Sequence, residues 1–187
     1  MRFIYVSFTL LMFISGFAQK PCEYIANVSD SEGIYKETPD YLMHERKFGD
    51  NTSLTYFSLA QTDGMPTLNV QFINKSKDFI KVKCLDKNSR LFIQLDNGKI
   101  VTLVHIDQDN CGTNIRDNGV NNRIMNGIFM FMKGSIADLK ESPISTIRVR
   151  YATDSDDIIL KSELISEVDG KTYHPNTYFM NFLHCVE

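Results

Sequence analysis

The tripeptide Asp96-Asn97-Gly98 constrains the fold of this chain most, because it separates two apolar runs at 91–95 and 100–106. Asn-Gly favours positive φ at both turn positions, and the resulting twist matches that of paired antiparallel strands. The two runs therefore read as a β-hairpin. Leu91, Ile93 and Leu95 alternate with Phe92 and Gln94 along its first strand, the period-2 pattern of a strand with one buried face.

Similar patterns flank the hairpin. Residues 53–59 are β-rich, Asp63-Gly64-Met65-Pro66 marks a turn, and 67–73 alternate with Leu68, Val70 and Phe72 on one side. Residues 79–85 set Ile80, Val82 and Cys84 against Lys81 and Lys83 and read as a half-buried strand, turned by 86–89. The apolar run 128–132 reads as a central strand. Ile147, Val149 and Tyr151 oppose Arg148 and Arg150 on another. Residues 107–125, rich in Asn, Asp and Gly, read as a long loop. Residues 152–157 are a second loop. Residues 158–165 suit a strand, with a helix as the alternative. Residues 19–50 are weakly periodic, punctuated by Gly33, Pro39 and Gly49, and remain unassigned, although Tyr35, Tyr41, Leu42, Met43 and Phe48 can pack on a sheet.

Two helices are expected. One lies near 135–141, with Ser135 as its cap and Asp138 placed to bond back in a capping-box manner; it must end before Pro143. The other lies near 177–185, opened by Pro175, whose missing N–H costs nothing at a first helical position. Phe179, Phe182, Leu183 and Cys185 form its apolar stripe. The expected fold class is α+β, mainly β: one antiparallel sheet with these helices, without internal repeats or a domain-separating linker.

The first 18 residues are expected to stand outside that fold. Arg2 gives a basic start, 3–14 are apolar apart from Ser7 and Thr9, and Gly16 and Ala18 occupy small-residue positions before a cleavage point. This is the layout of a secretory signal peptide (1–18), leaving 19–187 as a single exported β-rich domain. A membrane-spanning helix needs about 20 apolar residues, more than this run offers. No later stretch is long and apolar enough to span a membrane. A lipoprotein anchor at Cys22 fits poorly, because Gln19-Lys20-Pro21 precede it. Removing the leader takes away Arg2, one of 20 Lys and Arg, and leaves 23 Asp and Glu in the majority. A mildly acidic chain with scattered cations presents no phosphate-binding face, so nucleic acid and anionic membrane surfaces are not expected partners. The 43% hydrophobic and 23% charged composition is that of an ordinary globular chain, which excludes wholesale disorder.

The chain has four cysteines, Cys22, Cys84, Cys111 and Cys185. An even number in an exported chain favours disulfides over metal thiolates. Three connectivities are open. Cys84–Cys111 with Cys22–Cys185 is preferred, because the first pair brackets the 91–106 hairpin and the second ties the two termini. Buried free thiols are the alternative. Closing the Cys84–Cys111 loop contributes about 3–4 kcal/mol in the chain-entropy view, so most stability must come from an apolar core.

These features together resemble a group of uncharacterised secreted proteins of Bacteroidetes-type bacteria. The residues that carry the likeness are Phe17-Ala18 ahead of Gln19, Cys84 ahead of the 89–95 strand, and Asp96-Asn97-Gly98-Lys99-Ile100. Asn110-Cys111, Asp138-Leu139-Lys140 with the strand at 144–149, and Phe182-Leu183-His184-Cys185 complete it. Leader aside, the likeness runs from about residue 79 onward. It implies export and supplies no catalytic residue.

Motifs for nucleophilic, metal-dependent and nucleotide chemistry are absent: there is no G-x-S-x-G, S-x-x-K, H-E-x-x-H, P-loop, G-x-G-x-x-G or C-x-x-C. No Cys/His spacing suits zinc. Alternation would place His105, Asp107 and Asp109 on one side at a strand end, where oxygens could hold Ca²⁺. Cys111 and Asn118 break the EF-hand pattern there, and a solvated turn is the plainer reading. Asp154, Asp156 and Asp157 form a second acidic loop, also readable as a solvated hairpin tip. His44, His174 and His184 are isolated. Lys81 and Lys83 on one strand, and Arg148 and Arg150 on another, suit either an anionic partner or the wet side of a sheet. The chain has 13 Phe and 8 Tyr but no Trp, which disfavours a carbohydrate platform, although Tyr also stacks. Asn27, Asn51 and Asn74 lie in N-x-S/T sequons, which matter only in a glycosylating host.

The expectation is a secreted or periplasmic, non-catalytic binding or envelope-associated module. Its partner is an unidentified protein or small ligand, and it has no cofactor and no metal. The long loop 107–125 would carry contacts. The alternative is a hydrolase whose site assembles from distant residues, with His105 beside Asp107 or Asp109.

Overall fold

Residues 20–31 and 33–187 are described by the computed structural model. The leader expected at 1–18 lies outside them. The long strands follow the alternation. β1 (Ala26–Asp30), β2 (Gly33–Glu37) and β3 (Tyr41–Phe48) precede β4 (Asn51–Thr62) and β5 (Met65–Ser76). β4 and β5 pair along their whole length across Asp63-Gly64. Both turn residues take positive φ, 49° and 81°, as a two-residue hairpin turn requires. β6 (Arg90–Leu95) and β7 (Ile100–His105) form the hairpin that Asp96-Asn97-Gly98 announces. Its turn is of another type, however. Gly98 alone has positive φ, at 86°. Its N–H donates to the Leu95 carbonyl, while the Leu95 N–H donates to Lys99. This is the three-residue loop that ends on a left-handed glycine.

The remaining strands are β8 (Thr113–Asp117), β9 (Val120–Phe131), β10 (Ile144–Arg150), β11 (Ser155–Ile159), β12 (Leu164–Ile165) and β13 (Thr172–Tyr173). Eleven of these form one antiparallel sheet, in the order β1-β2-β4-β5-β9-β7-β6-β10-β11, with β3 also on β4 and β8 also on β9. The sheet curls. Four strand spacings separate β5 from β10, roughly 19 Å if the sheet were flat. Yet Phe72 of β5 and Tyr151 just beyond β10 have ring centroids 6.0 Å apart.

The curl encloses the core. Leu59, Leu68, Leu91, Ile93, Leu103, Phe129 and Val149 are fully buried in one cluster. It is capped by Leu139 of α1 (Ser135–Glu141) and by Tyr178 and Phe179 of α2 (Tyr178–Phe182). Each such side chain contributes roughly 1.5–3 kcal/mol, so any two match the about 3–4 kcal/mol of one loop-closing disulfide. Cys22 bonds Cys185 and Cys84 bonds Cys111. Beside the second, Leu85 and Asn110 exchange backbone hydrogen bonds of 2.8 and 2.9 Å. Among the described residues no helix is long and apolar enough to cross a membrane.

Several sequence expectations need correction. Most of the stretch 107–125 is a hairpin and not a long loop: β8 returns through Asn118-Gly119 into β9, and both turn residues have positive φ, 47° and 81°. All five residues of β8 are exposed, so no buried face marks it in sequence. Conversely, 79–85 alternate without forming a strand; Leu85 makes only an isolated bridge, to Asn110. Ser135 does not cap α1. Gly134, at φ 86°, precedes the helix without a side-chain cap, and Asp138 turns to Lys99 at 2.6 Å. Residues 158–165 split between β11 and β12. The C-terminal helix is a short α-helical segment between the 3₁₀ turns Pro175–Thr177 and Leu183–Val186.

Candidate functional site

The residues that looked most chemical in sequence are placed in ways that occupy them. His105 ends β7 and is 3% exposed. Its Nδ1 lies 3.1 Å from the Asp86 carbonyl oxygen, and its ring meets Phe129 edge to face. Burial pushes its imidazole below the ordinary range, against the opposing pull of the Asp86 carbonyl. Gly127 permits this packing, since a Cβ there would come 2.5 Å from Leu85 Cδ1 and 3.4 Å from His105 Cδ2. The strand stops at His105, and Asp107 and Asp109 are exposed. The expected common face of His105, Asp107 and Asp109 therefore does not form, because alternation lasts only as long as the strand.

The acidic stretch expected as a loop at 152–157 runs from Ser155 onward in β11, and its carboxylates meet the cations noted in the sequence. Asp157 lies directly opposite Arg148 in the β10–β11 register and accepts a bidentate pair of bonds from its guanidinium, 2.6 and 2.7 Å. Lys81 bonds Asp154 at 2.8 Å, and Lys83 bonds Asp156. The Lys83 ammonium also stands over the Tyr151 ring. Lys81 and Arg148 hold the carboxyls of Asp154 and Asp157 below the usual range. Burial, reinforced by the charge of Asp156, drives the Tyr151 phenol far above its own. Lys81, Lys83 and Arg148 thus serve the three carboxylates, whereas Arg150, opposite Ser155, is exposed and makes no ion pair among the described residues. His174 is held by the chain as well, its Nδ1 lying 3.0 Å from the Ser162 carbonyl oxygen. His184 faces the Cys22–Cys185 disulfide.

The open groove lies elsewhere. Ser53, Thr55, Phe57 and Leu59 share one face of β4, and their partners on β5 are Asn74, Phe72, Val70 and Leu68. At the Leu59–Leu68 end this face is core; at the Ser53–Asn74 end it turns polar. There the curled sheet opens into two adjoining cavities of about 340 and 260 Å³ that share Arg46, Ser53 and Asn74. Register explains the sharing: Arg46 pairs with Ser53 and Ser53 with Asn74, one row across β3, β4 and β5. Ser53 Oγ donates to Asn74 Oδ1 at 2.9 Å.

Phe72 and Tyr151 border the inner cavity together with His44 and Asp156. Burial holds the His44 imidazole below its ordinary range, helped by the Lys161 and Arg46 charges. Phe48 and Phe79 border the outer cavity and are 75% and 83% exposed, whereas Phe57 and Phe129 are buried. Arg46 and Lys75 border it too, and neither makes an ion pair among the described residues. Sequence reasoning missed this site. Its one local trace is the fading of the apolar alternation on β4 and β5 into Ser53 and Asn74.

A second, more apolar cavity of about 290 Å³ is bordered by Tyr41, Tyr173, Tyr178 and Phe182. Tyr41 packs on each of the other three rings, with centroids 5.0–5.3 Å apart, and Lys20 already stands over Phe182. Comparison with known protein families, curated proteins and solved structures found no match to the chain.

Proposed function

We propose that the chain is an exported, non-catalytic binding module whose ligand enters the polar mouth of the curled sheet. One observation carries the reading: an unpaired guanidinium, Arg46, shares a cavity with two exposed phenyl rings, Phe48 and Phe79. Single exposed apolar residues are ordinary; two lining one concavity with convergent polar groups have the character of a ligand site. Open ends of curled sheets commonly hold ligands. The carboxylates nearby, Asp156 and Asp157, are already matched by Lys83 and Arg148, so the free charge at the mouth is positive.

The ligand that suits this lining is small, or the end of a longer chain. It carries an anionic group for Arg46 and a flat apolar face for the rings, with hydroxyls for Ser53 and Asn74. An acidic sugar has all three. Export is supported by the two disulfides and by the signal-peptide layout read in residues 1–18. The hydrolase alternative loses its suggested residues, since His105 is buried while Asp107 and Asp109 are exposed.

Isothermal titration with a uronic acid, its neutral parent sugar and an aryl carboxylate tests the reading. The uronic acid binds best, and Arg46→Ala abolishes the difference from the neutral sugar. Stronger binding of the aryl carboxylate reassigns the ligand to aromatic anions. Absence of binding to all three refutes the site.

A further inference from the structure

Cys22 lies in the extended stretch ahead of β1, and His184 and Cys185 lie together in the 3₁₀ turn Leu183–Val186. The disulfide brings the two segments together and leaves an imidazole against its sulfurs. His184 Nε2 is 3.2 Å from Cys22 Sγ and 3.6 Å from Cys185 Sγ. The other ring nitrogen, Nδ1, is buried without a hydrogen-bond partner. A disulfide sulfur is only a weak acceptor, so neither nitrogen of this half-buried ring is strongly engaged.

We propose that these side chains form a metal site masked by the disulfide. Once the bond is reduced, Cys22, His184 and Cys185 bind one thiophilic cation of the Zn²⁺ class. The ligand atoms already lie within 4.8 Å of one another, and among the described residues no other such cluster occurs. Tetrahedral zinc with Zn–S near 2.3 Å and Zn–N near 2.0 Å sets nitrogen and sulfur about 3.5 Å apart and two sulfurs about 3.8 Å apart. Both nitrogen–sulfur distances stand close to that value before any metal is present. Only the sulfurs, now bonded, must separate. No ladder hydrogen bond fixes Cys22, because residues 20–24 belong to no strand, while the Tyr24 hydroxyl, donating to the Cys185 carbonyl at 2.8 Å, keeps the two segments together. Two thiolates and an imidazole are the ligand set of a borderline-soft cation rather than Ca²⁺ or Mg²⁺. Three protein ligands leave the fourth position for water or a small ligand.

The chemistry balances with a dithiol reductant. It supplies two electrons and two protons, its own sulfurs become a disulfide, and the Cys22–Cys185 bond opens to two thiols. The cation then displaces both thiol protons. Cys84–Cys111 has no histidine in such a position, so reduction there creates no equivalent site.

The experiment uses the purified chain, oxidised or reduced without oxygen, titrated with Co²⁺ as a spectroscopic probe and then with Zn²⁺. Reduced protein takes up one Co²⁺ with a thiolate charge-transfer band that Zn²⁺ removes; oxidised protein takes up none. Losing a ligand costs at least what losing an outer partner of a ligand does, so His184→Ala weakens binding by roughly 10- to 100-fold or more. The Cys84→Ser/Cys111→Ser variant binds as the parent does. Near-ultraviolet circular dichroism follows the fold throughout. Lack of a charge-transfer band in reduced protein overturns the site, and so does equal affinity in His184→Ala. Loss of binding in the Cys84→Ser/Cys111→Ser variant, or unfolding on reduction that Zn²⁺ fails to reverse, does the same.

Discussion

Two charged regions of this molecule look alike in sequence and behave in opposite ways. Along Lys81, Lys83 and Arg148, each cation has a carboxylate from the 154–157 segment within bonding distance. At the mouth of the curled sheet, Arg46 and Lys75 have none among the described residues, and Phe48 and Phe79 stand beside them exposed. The first region carries more charges and more local signal, yet these three cations are matched one for one. Residual, unmatched chemistry marks a binding surface better than the density of charged residues does, because a paired ion offers little to a ligand that must first displace its partner.

The contrast can be broken at several points. The phenylalanines separate core from mouth most sharply. Phe57→Ala, in the core, should lower unfolding stability by about 3–5 kcal/mol in urea titrations. Phe48→Ala and Phe79→Ala should stay within about 0.5 kcal/mol while weakening ligand binding. A large stability loss at Phe79 would make that ring structural. Arg46→Ala should leave the urea midpoint in place and remove a charge-assisted bond of roughly 1.5–3 kcal/mol from binding, measured by calorimetry.

In the paired region, Asp156→Ala leaves the half-buried Lys83 ammonium a single carboxylate contact, with Asp154 at 4.0 Å, and should cost about 1 kcal/mol. Equal stability there would mean that water replaces the carboxylate. The smallest effects are pH-dependent. His44 and His105 are harder to protonate in the folded chain. Their contribution is therefore complete above about pH 6.5 and is lost as pH falls below it. Asp154 and Asp157 are held low by Lys81 and Arg148, so theirs is present above about pH 4 and lost as acid titrates the folded carboxylates. Stability measured against pH in His105→Gln should lack part of the first decline and keep the second.

Legibility in the sequence followed local period and failed where a strand has no buried face. Asp-Asn-Gly occurs at 96–98 and again at 117–119. The first copy stands between apolar alternating runs and announces its hairpin. The second joins β8, exposed at every position, to the polar start of β9, and reads as loop. The identical tripeptide even makes different turns, three residues long in one place and two in the other. Residues 79–85 fail the other way: they alternate, yet they join no ladder beyond the Leu85 bridge to Asn110, and Lys81 and Lys83 reach to Asp154 and Asp156. The cysteine pairing was approachable because Cys84 and Cys111 bracket a hairpin whose geometry is local. The mouth of the sheet was not, since Arg46, Ser53 and Asn74 come together only through cross-strand register.

Sequence alone determined that this chain is a mainly antiparallel β protein with a short helix after β9 and helical turns at its C-terminal end. Those features depend on turn residues and on periods that a few neighbouring side chains display. Tertiary structure alone decided that the sheet curls, that Lys81 meets Asp154 across 73 residues, and that His184 meets Cys22 across 162. It also decided that the core-facing row opens into a polar mouth. Such encounters depend on twist accumulated over many strands and on packing between distant segments, and no local stretch of sequence records either.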